Sequence, residues 1–289
     1  MKRSGTTAGF TLIELTLVLF VLALVAHLGM RELSGVRARK LRDAADRQLE
    51  SLAAAVYDDS DGVPRGFLSD MGRLPFASRS VAGDPLDLRE LWEKPAGVGE
   101  LRARPATVAN LAPGAPSAIA DPTLFVPCGW GGPYLRLPQS ASRLRDPWGN
   151  PFENPDTAGL ARLLDASGDA ISATNVPVAA IRHFGADAAR DADRAPAGFE
   201  QADALRAFPT NAAGVLATFE AGTVSRIVWY APLGDKITGG EVPVDVGRSQ
   251  ALLADLPPGV RFLKAVRTDG SSRVLQVSLR PGRDAAVEF

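Results

Sequence analysis

The chain has 289 residues, 46% of them hydrophobic and 22% charged, with a formal net charge of −1. A balance so close to zero excludes a polyanion binder driven by bulk charge, and no nucleic-acid partner is expected. The single cysteine, Cys128, rules out an intrachain disulfide, and with His27 and His183 as the only histidines a zinc site of Cys/His type is excluded as well.

Residues 1–9 form a short leader carrying Lys2 and Arg3, and it runs into an apolar stretch over residues 10–30. As a helix, about 21 residues at ~1.5 Å each span roughly 31 Å, the thickness of a bilayer's hydrocarbon core. One carboxylate, Glu14, stands near the start of this stretch. A carboxylate in that setting is costly without a partner, which marks it as a functional residue. A secretory signal would have a shorter apolar core and a small-residue cleavage site after it. A plain anchor would explain the apolar run but neither Glu14 nor the glycine before Phe10. Arg31, Arg37, Arg39, Lys40 and Arg42 follow the span, so charge alone does not orient it.

Beyond the span the pattern becomes amphipathic. Leu41, Ala45, Leu49, Leu52 and Val56 recur every three or four residues, while Arg39, Arg42, Asp43, Asp46, Arg47 and Glu50 fill the other faces. Asp58, Asp59, Ser60, Asp61, Gly62 and Pro64 end the helix near residue 59. Residues 66–75 read as loop and residues 86–92 as a short helix opened by Asp84-Pro85. Residues 97–122, rich in Ala, Pro and Gly, read as an exposed loop or linker. The block Asp146-Pro147-Trp148-Gly149-Asn150-Pro151-Phe152 is a turn whose leading aspartate can accept backbone N–H groups. Residues 178–184 read as a strand, followed by an acidic loop. Short β-rich runs follow over residues 215–219, 224–230, 259–266 and 273–279, with Asp269-Gly270 as a hairpin turn between the last two.

The heptapeptide Gly9-Phe10-Thr11-Leu12-Ile13-Glu14-Leu15 resembles the prepilin leader of type IV pilins and of type II secretion pseudopilins. The blocks Gly132-Pro133-Tyr134-Leu135 and 146–152 are similar to the head of the major pseudopilin, so the resemblance covers roughly residues 1–205. It implies cleavage by a prepilin peptidase between Gly9 and Phe10 and N-methylation of Phe10. It also implies that Glu14, fifth in the mature chain, pairs with an α-amino group and sets subunit register. The implied location is the inner membrane, single-pass, with the leader cytoplasmic and the rest periplasmic, and then a pilus or pseudopilus fibre. Expected partners are the peptidase, other pilin or pseudopilin subunits and an inner-membrane assembly platform.

In that family the segment after the strand holds calcium. Asp187 matches the first acid, with Asp191, Asp193 and Asp203 as later ligands, but Ala188 stands where a glycine is expected. Calcium takes six to eight oxygens on a shaped loop, so two readings stay open, a calcium site and a solvated acidic loop. Cys128 is either a small buried thiol or a partner for another chain.

No Gly-x-Ser-x-Gly elbow, phosphate loop or His-Glu-x-x-His occurs, and no enzyme is expected. The expected fold class is α+β. A long N-terminal helix, transmembrane in its first half (10–30) and amphipathic in its second (31–61), packs on a small antiparallel head (62–210). A small β-sandwich-like domain (211–289) follows. The expected function is a minor pilin or pseudopilin. The alternative is an anchored or tip-located binding module whose C-terminal β domain contacts cargo, a surface or the secretin.

Overall fold

A computed structural model describes residues 12–156, 159–186, 188–191, 203–209 and 212–289, with the side chains of 28–34 excepted. The expected α+β class is corrected. The chain is mostly β, 36% strand against 20% helical, and its strands are divided among several sheets. The first helix does not lie along a sheet as a packed rod. Helix α1 (Leu12–Val56) has its side chains exposed from Leu12 to His27, and the continuous buried stripe begins only at Arg42. The reason lies in the pattern. The first part is apolar on every face, so no one face is selected for docking, whereas Ala45, Leu49, Leu52 and Val56 share a single face and are buried. Burying each large side chain of that face contributes about 1.5–3 kcal/mol.

Helix α2 (Phe67–Met71) occupies the segment expected to be loop. Its Phe67, Leu68 and Met71 are buried against Leu49, Leu52 and Val56 of α1. Two glycines permit this docking. At Gly66, φ +94°, a Cβ would meet the Val56 carbonyl at 2.8 Å, and at Gly72, φ +66°, it would meet the Pro232 carbonyl at 1.8 Å. Only a residue without a side chain fits at either position.

Strands β1 (Arg102–Ala106) and β2 (Asp121–Cys128) form an antiparallel hairpin within residues 97–122 and beyond. The composition of that stretch hid it: Pro105 sits in β1 and Pro122 and Pro127 in β2, residues that demote a strand reading. Strands β3 (Leu163–Leu164), β4 (Ala180–His183) and β5 (Ala204–Ala207) make a second antiparallel sheet, whose Leu163 and Ile181 join the core under α1.

The remaining strands are β6 (Ala213–Thr218), β7 (Val224–Leu233), β8 (Lys236–Pro243), β9 (Gln250–Leu256), β10 (Gly259–Arg267), β11 (Ser272–Leu279) and β12 (Ala285–Glu288). They build a four-stranded sheet, β11-β10-β7-β8, and a three-stranded sheet, β12-β6-β9, in which β12 runs parallel to β6. Strand β7 alternates between two cores. Ile227 faces the apolar cluster shared with Val215 and Leu253, while Val228 and Tyr230 face the β1–β2 hairpin beside Val126 and Cys128. The C-terminal strands are therefore packed into the middle of the chain. The Tyr230 hydroxyl donates to the Ile119 carbonyl at 2.8 Å. Arg261, fully buried on β10, donates to the carbonyls of Pro257 (2.8 Å), Val260 (2.8 Å), Pro258 and, on α2, Ser69 (3.4 Å). Burial pushes this guanidinium down to about 9.

Among the described residues no helix is long and apolar enough to cross a membrane. The expected span begins at Phe10, outside those residues.

Candidate functional site

The feature that sets this molecule apart is the first half of α1. Eleven large apolar side chains between Leu12 and Val25, among them Leu12, Ile13, Leu17 and Phe20, are 46% to 83% exposed. At about 1.5 kcal/mol apiece for full burial, scaled to the part still exposed, covering them completely is worth about 10 kcal/mol. A continuous apolar surface on that scale marks an interaction site. Glu14 lies within it, near the start of the described part of α1. Gly9 and Phe10, the expected cleavage pair and methylation site, lie outside the described residues.

The expected calcium set is divided. Asp187 and Asp193 lie outside the described residues. The structure brings Asp191 and Asp203 together. Asp203 N–H donates to Asp191 Oδ2 at 3.0 Å and Asp191 N–H to Asp203 Oδ2 at 3.3 Å. The two ends of the intervening segment are clasped by this exchange. Among the described residues no three His, Cys, Asp or Glu side chains gather into a metal-binding group. Asp191 and Asp203 alone supply too few oxygens for calcium.

The two aromatic blocks anchor the helices. Tyr134 hydroxyl donates to Asp70 Oδ2 on α2 at 2.9 Å and accepts the Gly131 N–H at 2.7 Å. Burial raises the pKa of both Tyr134 and Asp70. Trp130 Nε1 donates to the Glu90 carbonyl at 2.9 Å. In the second block Asp146 Oδ1 accepts the N–H groups of Trp148 (3.0 Å) and Asn150 (2.8 Å), the turn chemistry expected of that aspartate. Its Oδ2 lies 3.3 Å from Nη1 of Arg162, whose Nε donates to Asp156 Oδ2 at 2.9 Å. Arg162, Asp146 and Asp156 are all buried.

His183, at the end of β4, is packed. Its Nδ1 accepts the Gly185 N–H at 3.1 Å, its Nε2 lies 3.5 Å from Asp46 of α1, and the Trp148 ring is 5.6 Å away. Burial first, then the Arg42 charge, hold its pKa below the ordinary value. Cys128 is a fully buried thiol, and burial pushes it up. Neither has a nucleophile–base geometry.

A cleft of about 740 Å³ opens between α1 and residues 135–147, lined by Arg47 and Gln48 on the helix and by Arg136, Arg143 and Arg145 on the loop. Arg143 is paired with Glu153 at 2.6 Å, while Arg47, Arg136 and Arg145 are exposed. No motif in the sequence marks this cleft. Its only signal was three arginines within residues 136–145, which shows no periodicity and becomes a site only when the loop folds against α1.

No protein-family model matches the chain, and no curated protein matches it.

Proposed function

We propose that this chain is a minor pilin or pseudopilin subunit, made as a precursor and assembled into a fibre of a type II secretion system or a type IV pilus. A prepilin peptidase cuts after Gly9, Phe10 becomes the methylated N-terminus, and the apolar helix resides in the inner membrane before assembly. The leader is cytoplasmic and the head periplasmic. The observation that carries this reading is the bare apolar half of α1 bearing Glu14, joined to a half that is docked in a folded head. A helix apolar on all sides needs lipid or other helices around it, and a subunit that passes from membrane to fibre meets both in turn. Glu14 then pairs with the α-amino group of the next subunit. In low dielectric that pair contributes register more than net stability.

Replacing Glu14 tests this. Glu14→Leu leaves leader cleavage intact and removes the protein from sheared fibres. Incorporation at wild-type level would show that the carboxylate does not guide assembly. A membrane anchor that never polymerises would gain up to ~2–3 kcal/mol of insertion from the same change, so the two accounts predict opposite signs.

A second reading, an anchored or tip-located binding module or adhesin, is favoured by β9. Among the described residues this strand pairs only with β6, and it carries Leu252 62% exposed, with Val246 95% exposed just before it. An open strand edge with apolar side chains is a template for strand addition by cargo, a surface or the secretin.

A further inference from the structure

The cleft between α1 and residues 135–147 belongs to the head and has no part in the reading above. Its volume, about 740 Å³, falls in the range of ligand pockets. Its charge is one-sided. Arg47 stands on the helix wall and Arg136 and Arg145 on the loop wall, all three exposed, and among the described residues none of them makes an ion pair with a carboxylate. The other two charged groups of the lining are already engaged. Arg143 is held by Glu153 at 2.6 Å. Asp146 gives one oxygen to the N–H groups of Trp148 and Asn150 and the other to Arg162 and the Asn150 side chain. The lining therefore offers three cations and no available anion, in a chain whose overall charge is −1.

The walls are built rather than loose. Gln48 Nε2 donates to the Arg145 carbonyl at 2.7 Å, which ties the loop to α1, and Arg145 Nη1 donates to the Gly149 carbonyl at 2.7 Å. Leu144, next in the chain, is buried in the core under α1. Like charges gathered around one cleft repel until a ligand neutralises them, and the guanidinium fork matches an oxyanion such as a carboxylate. Between the arginines the lining is apolar, from Ala44, Leu135, Ala141 and Pro147. A bare phosphate has no use for that surface, but a peptide does. An extended segment turns successive side chains to opposite sides. Adjacent acids then meet the helix wall and the loop wall, and a neighbouring apolar residue covers the lining between them. We propose that this cleft is the docking site for an acidic peptide segment of a partner protein, in which carboxylates flank an apolar residue. The proposal does not depend on the fibre reading.

The test uses the full-length chain in mild detergent at about 0.15 M salt, where attraction between distant exposed charges is largely screened. The probe is the fluorescein-labelled peptide Gly-Glu-Glu-Leu-Glu-Glu-Gly, followed by fluorescence anisotropy. It binds the wild type saturably. Arg47→Glu/Arg136→Glu weakens binding about ten-fold or more, with the melting temperature unchanged, because both side chains are exposed. Arg39→Glu/Arg273→Glu makes the same change of charge at exposed positions outside the cleft and weakens binding less than about two-fold. Serine in place of the peptide's leucine weakens binding about three-fold or more. Absence of saturation up to about 1 mM peptide, equal weakening by the two double variants, or indifference to the leucine overturns the proposal. Displacement of the peptide by an equal concentration of inorganic phosphate overturns it too and makes the cleft a small-anion site.

Discussion

Arg162 is the best place to perturb the head. Its guanidinium is fully buried between the turns headed by Asp146 and Asp156, 3.3 Å and 2.9 Å from their carboxylates, and it lies over the rings of Phe184 (5.2 Å) and Phe152 (5.8 Å). Arg162→Met keeps much of the apolar contact and deletes the charge. Two carboxylates are then left buried without their cation, which costs about 3–5 kcal/mol. Asp146 still accepts the N–H groups of Trp148 and Asn150, and Asp156 accepts that of Leu160 at 2.9 Å, so the turns themselves have reason to persist. Adding Asp146→Asn and Asp156→Asn to Arg162→Met removes the stranded charges while keeping an acceptor oxygen at each turn. The triple variant therefore recovers at least ~1 kcal/mol relative to Arg162→Met. Urea unfolding of the full chain in mild detergent, followed by tryptophan fluorescence, measures both differences. A loss below ~1 kcal/mol for Arg162→Met, or a triple variant less stable than the single one, would refute the view that uncompensated charge dominates here.

Two further predictions concern pH and calcium. His183 has a folded pKa below its ordinary 6.5, because burial outweighs the pull of Asp46, so the unfolded chain takes up its proton first as pH falls. Its contribution to stability is full above pH 6.5 and is lost as pH falls through the folded value. Asp87, which burial pushes up to about 7, acts with the opposite sign, so the comparison must be made against His183→Gln rather than on the wild type alone. Between pH 7.5 and 5.5 the wild type loses more stability than His183→Gln, and equal losses would refute the assignment. If calcium completes its shell on Asp191 and Asp203, calcium at a thousand times its Kd raises stability by about 4 kcal/mol over chelator, and Asp191→Ala removes the difference. Identical melting with calcium and chelator in the wild type would exclude the site.

Much of the amphipathic helix was legible, because its apolar residues obey one period: Ala45, Leu49, Leu52 and Val56 are all buried. The hairpin at Asp269-Gly270 was legible for the same kind of local reason, with Gly270 at φ +87° between β10 and β11. What escaped were features set by partners distant in sequence. Strand β1 exists because β2 pairs with it and the hairpin packs on β7, which no property of its Arg-Ala-Arg-Pro-Ala sequence announces. Helix α2 exists because Gly66 and Gly72 let it enter a gap between α1 and β7. The mostly-β balance of the chain was missed in the same way. Strands β8, β9 and β12 carry glycine, proline or charge at positions where a strand reading from composition fails, and their neighbours supply the pairing. In the candidate site, Glu14 could be read from sequence because a lone carboxylate in an apolar run is conspicuous. The arginine cleft could not, since its lining is drawn from α1 and from a loop almost a hundred residues away.

The central claim is that the chain is a prepilin-type precursor, and the N-terminus of the mature protein tests it most directly. Protein extracted from membranes of cells with an active prepilin peptidase should begin at Phe10, with an intact mass that includes one N-methyl group. A chain that still begins at Met1 in those cells, or one trimmed near His27, would contradict it.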